Sequence, residues 1–329
     1  MIDFDKVADF IFNSRSGGVF EEVEGILKRH GYHLIEPMFS ALPSTGEKLK
    51  LAYVDGGSSE LLSLPNMFIY LHKVAAVVYE GRDYVKRYGP YYFISCLAPS
   101  VNGRMKTTIF GDLFFMDRCL EHVSGFWHIL NAVPRRVAEK RLAKHVIKDE
   151  CDGVVLDGTL GFQNERNEIN ALKELIEIVE EREAILAGLA KSTKITYKGI
   201  PLTKLVEGRA KEKGLRYFIA LVGKVGEEPR RTTLFVIKLS SAAVKPFLLE
   251  VFSEKRLNDL IYNLALSSCD PSIPGYPYPL IEVDKIAKVH VRDEFKAVRS
   301  RLIEKILERG GEFLIKEALF HDLLNTINP

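Results

Sequence analysis

Two stretches of the sequence end an apolar run in an aspartate with a glycine directly behind it. They are AYVDGGSSELL, which holds Asp55, and DGVVLDGTLGF, which holds Asp157. The apolar runs predict strands, and open α/β sheets bind ligands at the carboxyl ends of their strands. A carboxylate there is held by rigid backbone, and the glycine lets the chain turn sharply away. If the two strands are neighbours, the carboxylates come within a few ångströms of each other. Like charges resist that approach unless a cation lies between them. Magnesium and manganese prefer such oxygen donors. Two of these ions about 3.5–4 Å apart can stabilise both the attacking and the leaving oxygen in phosphodiester hydrolysis. Asp-Gly is also a common turn signal, and spacing alone leaves both readings open.

A third carboxylate is needed, and Glu139 is the candidate. It lies in the helix predicted to run into the Asp157 strand, beside an apolar stripe of Ala138, Leu142 and Val146. The alternative is a solvated glutamate paired with Arg135 or Arg136, and Glu121 is a rival for the ligand role. Asp112 and Asp117 read as helix-start residues. Lys191 could stabilise charge on a scissile phosphate, or be a surface lysine at a strand start. Tyr276 and Tyr278 could stack on the bases of a single strand, or pack the proline-rich loop around them. The most basic stretches, RRVAEKRLAKHVIK from Arg135 and Arg136 onward and EEPRRTT, could track a phosphate backbone or be solvated faces. The apolar segments VADFIF and HDLLNTI suit core packing first and an interface second.

These residues must be positioned by a framework. Residues 3–31 read as two short helices, the main part of an N-terminal helical segment over 1–48. Strands are expected at 49–54, 67–79, 91–98 and 105–110, as an antiparallel meander. A helix is expected from about 112, and Pro134 suits the first turn of a fresh one. GVVLD is a short strand, and 164–189 reads as one long helix. KSTKITY and LRYFIALVG read as strands around a helix at 201–213, and RTTLFVIKL as another strand. A helix at 254–267, the loop CDPSIPGYPYP, and helices at 279–289, 293–309 and 311–325 complete the chain. The expectation is one mixed α/β domain over 49–329, with helical additions at both termini.

Composition limits the function classes. Of 329 residues, 47% are hydrophobic, enough for a sizeable core. Lys plus Arg is 46 against 44 for Asp plus Glu, so nucleic acid would have to be met by a local cluster rather than a global field. Cys96, Cys119, Cys151 and Cys269 form no CxxC pair, which argues against a zinc site and a disulfide framework. The longest apolar run, NMFIYLHKVAAVVY, is broken by His72 and Lys73, so no membrane helix is expected. The first residues lack the order of a signal peptide, and a cytoplasmic location follows as the expectation.

YVDGGSS, VVLDGTL, LAKSTKI and DPSIPGYPYPLIEVDKIAKVH, in this order, resemble the NurA nuclease family over roughly residues 50–295. The resemblance implies an RNase H-like core: a mixed sheet flanked by helices, with a metal-binding acidic cluster. It implies a manganese-dependent DNA nuclease, with magnesium as the alternative ion and two ions in the site. Such an enzyme acts as a 5′-to-3′ exonuclease and on single strands. It also implies homodimers that dock on the hexameric HerA-type ATPase of archaea and bacteria, in DNA end resection during double-strand break repair. Residue by residue, Asp55 and Asp157 match the two Asp-Gly motifs, Glu139 the helical acid, and Lys191 the lysine of the Lys-Ser/Thr stretch. The family often has Ala-His after its Tyr-Pro segment. This chain has Val283-Asp284, so Asp284 or the later His290 would complete the site. Gly57 stands where the family usually has serine. The competing reading is an inactive docking subunit of the ATPase, favoured by the altered Ala-His position. A nuclease acting on RNA or hybrids is a third.

Overall fold

The computed structural model describes residues 31–318 apart from 65, 101, 112, 123–129, 162–164, 194, 198–199 and 290–292. The predicted helices at 3–31, the segments VADFIF and HDLLNTI, Asp112 and His290 lie outside the described residues. In chain order the strands are β1 (Tyr32–Ser40), β2 (Lys50–Leu64), β3 (Met67–Glu80), β4 (Asp83–Pro99), β5 (Met105–Phe110), β6 (Cys119–Glu121) and β7 (Gly153–Asp157). They continue with β8 (Ile185–Ala190), β9 (Thr196–Tyr197), β10 (Ile200–Pro201), β11 (Phe218–Glu227), β12 (Arg230–Lys238) and β13 (Phe247–Val251). The helices are α1 (Val133–Lys148), α2 (Arg166–Glu181), α3 (Leu202–Glu212), α4 (Leu257–Leu266), α5 (Tyr278–Ala287) and α6 (Asp293–Leu307).

The chain forms two compact units. One comprises Met1–Leu49, Asp157–Leu160 and Ile185–Tyr278; the other comprises Lys50–Leu156, Gly161–Ala184 and Pro279–Pro329. In the first, the strands run in the order β1-β11-β12-β13-β8, all antiparallel. Val206 and Ala210 of α3 pack with Val222, Leu234 and Val236 beneath them. In the second, the order is β7-β2-β3-β4-β5-β6. Here β7 is parallel to β2, and every other pair is antiparallel. β3 is apolar on both faces, and its run from Val74 to Val78 is buried throughout, as a central strand covered on both sides requires.

α1 forms where Pro134 and the apolar stripe predict it. Pro134 sits in the first turn, where its missing N–H removes no helical bond, and Ala138, Leu142 and Val146 are all buried. The meander of β2 to β5 also forms as expected. Several predicted elements differ. Tyr32–Ser40 is a strand, so the N-terminal segment is not helical throughout. β2 does not end at Asp55 but continues through both glycines to Leu64. Cys119–Glu121 is a strand where helix was expected. The single helix over 164–189 is α2, which stops at Glu181, followed by the buried strand β8. KSTKITY shrinks to the two-residue β9, and β13 was not anticipated.

Candidate metal centre

β2 and β7 are parallel neighbours, with Val54 opposite Leu156. The next residue on each strand is an aspartate, so strand register alone brings Asp55 and Asp157 level. Asp284 comes from α5. One carboxylate oxygen from each of Asp55, Asp157 and Asp284 lies within 4.8 Å of the others, and all three residues are half-buried. That spread is close to twice a metal–oxygen distance of roughly 2.1 Å. The donors are oxygens only, the set that suits magnesium or manganese rather than zinc. Among the described residues no other group of His, Cys, Asp and Glu side chains converges in this way.

The two glycines behind Asp55 serve close packing rather than a turn. A Cβ on Gly56 would stand 2.6 Å from Glu139 Oε1 and 2.9 Å from Arg135 Cγ, both on α1. A Cβ on Gly57 would overlap the carbonyl oxygen of Ala287 at the end of α5. Successive strand residues face opposite ways. Gly56 therefore faces α1, whereas Asp55 and Gly57 face α5, the helix that carries Asp284. Tyr79 of β3 donates its hydroxyl hydrogen to Glu282, two residues before Asp284, and so fixes α5 against the sheet. Behind Asp157 the turn reading holds: Gly158 has a φ of +114°, a conformation open to glycine and strained for other residues.

Cations flank the three carboxylates. Lys191 Nζ lies 2.6 Å from Asp157 Oδ2 with its side chain 41% exposed, and Lys288 Nζ lies 2.9 Å from Asp284. Tyr276 donates its hydroxyl hydrogen to Asp157 Oδ1 at 3.2 Å. Its ring is buried against Phe247 at 5.0 Å and beneath the Lys191 ammonium. Tyr276 thus orients a carboxylate and offers no free face to a base, while Tyr278 is 40% exposed.

Glu139 is not brought into the group. Burial pushes its carboxyl up, against the pull of Arg135, and its Oε1 accepts from Arg135 at 2.5 Å on the α1 side of β2. Arg135 is held charged, first by Glu139 and further by Asp55, and it also donates to the Gly56 carbonyl at 3.1 Å. Arg136, expected to meet DNA, donates instead to buried Glu168 at 3.0 Å, which also receives Lys140 at 2.9 Å. Glu121 sits on β6, at the far edge of its unit's strands from β7 and β2, and Asp117 pairs with Arg141.

The sequence reading missed the support behind Asp157. Glu250 of β13 is fully buried. It accepts from Arg230 Nε at 2.5 Å and Nη2 at 2.7 Å, from the Thr232 hydroxyl at 2.7 Å and from the Leu160 N–H at 3.2 Å. Burial alone would lower the Arg230 proton affinity, but its pairing with Glu250 raises it overall, so the guanidinium stays charged. Glu250 therefore anchors the chain that leaves Asp157. His72 was also missed, although a histidine inside an apolar strand must find buried partners. It lies between Ser58 and Ser95 at 2.7 Å from each.

The sequence matches the NurA domain family over residues 50–289, and no curated protein matches it. Among solved structures it is similar to the NurA nuclease from Sulfolobus solfataricus, with a TM-score of 0.58 at 14% identity, over 95% of this chain and 99% of that one. A second NurA structure is similar with a TM-score of 0.49 at 10% identity, over 92% and 96%. The catalytic domain of human Endonuclease V is similar with a TM-score of 0.43 at 12% identity, over 84% and 96%. The expected fold class, an RNase H-like mixed sheet flanked by helices, is the one observed. The family match takes in all three converging aspartates, and the chain belongs to the NurA family.

Proposed function

We propose that this chain is a metal-dependent nuclease that hydrolyses phosphodiester bonds of DNA, with Asp55, Asp157 and Asp284 as its cation ligands. The observation that carries this reading is the convergence of those carboxylates from β2, β7 and α5. When bound there, divalent cations supply Lewis acidity that activates a water and neutralises charge on the phosphate. The chain's own contribution is rigidity. Strand register sets Asp55 and Asp157, the Tyr276 hydroxyl fixes the Asp157 rotamer, and the seat of Ala287 on Gly57 sets the depth of Asp284. Lys191, paired to Asp157 yet substantially exposed, can turn its ammonium to a phosphate oxygen. Glu139 serves as the partner of Arg135 rather than as a ligand. Manganese as the working ion, two ions in the site, 5′-to-3′ polarity, single-strand cleavage, a homodimer and docking on a HerA-type hexameric ATPase are parts of the same proposal, supported by family membership. The nearness of Asp284 to Asp55 and Asp157 supports the active reading over an inactive docking subunit of the ATPase.

Asp55→Asn tests the reading. It is expected to abolish cleavage of labelled DNA strands in manganese, and to lose the thermal stabilisation manganese gives the parent chain, while unfolding in chelator is unchanged. Cleavage at the parent rate would remove Asp55 from the chemistry. RNA and hybrid strands in the same panel define the substrate, and light scattering with and without the ATPase measures the assembly.

A further inference from the structure

On the α1 face of β2 lies a groove of about 420 Å³, lined among others by Gly56, Ser58, Glu60, Tyr70, Asn131 and Arg135. Hydrogen-bond accounting fixes the direction of one hydroxyl in it. Ser95 is buried, and among the described residues its hydroxyl has one partner, His72 Nε2 at 2.7 Å. A buried O–H is stable only if it donates, so Ser95 donates to Nε2. A neutral imidazole carries its proton on one nitrogen and accepts on the other. Nδ1 therefore bears the hydrogen and donates to Ser58 Oγ at 2.7 Å. That leaves the Ser58 O–H to donate outward, into the groove. The opposite tautomer would strand the Ser95 hydrogen inside the sheet. The ring cannot swing to relieve it, because His72 is buried and stacked on Phe93 at 4.7 Å. Burial also keeps the imidazole neutral, with its pKa near 3, so the arrangement persists across the physiological range.

Arg135, already paired through Nη1 to Glu139, lines the same groove, and its guanidinium lies beside this donor. The carboxylate of the groove, Glu60, is turned to Tyr70, whose hydroxyl donates to it at 2.9 Å. A hydroxyl donor aimed by a buried histidine, next to a guanidinium, suits an anionic oxygen. β7 stops at Asp157 while β2 runs on to Leu64, so beyond Asp55 β2 has no strand partner on its β7 side among the described residues, and a nucleic-acid strand lying at Asp55 would cross there to the α1 face. We propose that this groove is a second phosphate subsite, which holds a backbone phosphate of the nucleic-acid strand away from the scissile one, with Ser58 as its positioning donor. The proposal rests on the nuclease reading above.

The test separates the two. Binding of a fluorescein-labelled single-stranded DNA oligonucleotide is measured by anisotropy in chelator, where cleavage and metal binding play no part. Ser58→Ala is expected to bind roughly tenfold more weakly, the size of one hydrogen bond to a charged oxygen, and Ser58→Thr to bind as the parent does. Both variants should keep the parent's thermal stabilisation by manganese. Parent-like affinity in Ser58→Ala, or failure of the parent chain to bind the strand at all, overturns the proposal. Loss of the manganese response in the parent, with strand affinity still dependent on Ser58, would sink the metal-centre reading and leave the groove standing.

Discussion

Burial holds the His72 imidazole at about 3, and the charge of Arg135 presses the same way. In the unfolded chain an ordinary histidine titrates near 6.5. Between those values the unfolded chain binds a proton that the folded chain refuses. Stability is therefore unaffected above roughly pH 6.5 and falls as the pH drops below it, by about 1.4 kcal/mol per unit. His72→Asn is expected to flatten the acid limb of a melting-temperature profile, whatever it costs at neutral pH. An acid limb as steep as the parent's would show that other groups govern it. At this scale the sequence was partly legible. Asp55, Asp157 and Asp284 stand in motifs, and the motifs pointed to them. The pairing of Arg136 with Glu168 was not foreseen because that partner lies on another helix, and no local pattern announces a buried carboxylate. Tyr276 and Tyr278 carry the same side chain two positions apart, yet one ring is sealed in and the other is open. Only packing could separate them.

Among the elements, the seat of α5 on β2 is the most exacting contact. An added methyl at Gly57 would meet the Ala287 backbone, which cannot move without the helix, whereas one at Gly56 would meet only side chains, Glu139 Oε1 at 2.6 Å and Arg135 Cγ at 2.9 Å, which can shift without moving α1. Gly57→Ala is expected to lose about 1–3 kcal/mol in urea unfolding, and to weaken the manganese response because α5 carries Asp284. Gly56→Ala should lose distinctly less. Equal losses would mean that α5 is not seated as described. The glycines were read as a turn because Asp-Gly usually is one, and a strand that uses glycine to admit two helices looks the same in one dimension. β8 was absorbed into a helix for a related reason. ILAGLA is a short apolar run with no proline before it, and periodicity cannot assign such a run. Glu183, with a φ of +48°, makes the break without a glycine to mark it. Glu139 lies on α1, the helix that Gly56 faces, while Asp55 one strand position earlier faces α5, and chain position does not reveal that parity.

Taken whole, the molecule carries almost no net charge, so what it recognises must be written in local groups. The proposed metal centre draws on three distant stretches of chain, none of which can chelate alone, and ion binding should therefore report on the folded state. A ligand at 100 times its dissociation constant adds about 2.7 kcal/mol, which for a chain of this size is a rise of roughly 4 °C in melting temperature. Asp157→Asn should abolish that rise in manganese, and a rise of the parent's size would remove Asp157 from the ligand set. The mixed α/β class was legible because strands and helices punctuate the chain clearly; its division into two units was not, because the chain crosses between them within β7. The late position of α5 also bears on how such an enzyme is made. Ribosomes deliver a chain from its amino end, so Asp55 and Asp157 emerge long before Asp284. Under the proposed chemistry, a nascent polypeptide still tethered beside its own messenger is harmless to nucleic acid until Asp284 has left the ribosome and α5 has docked.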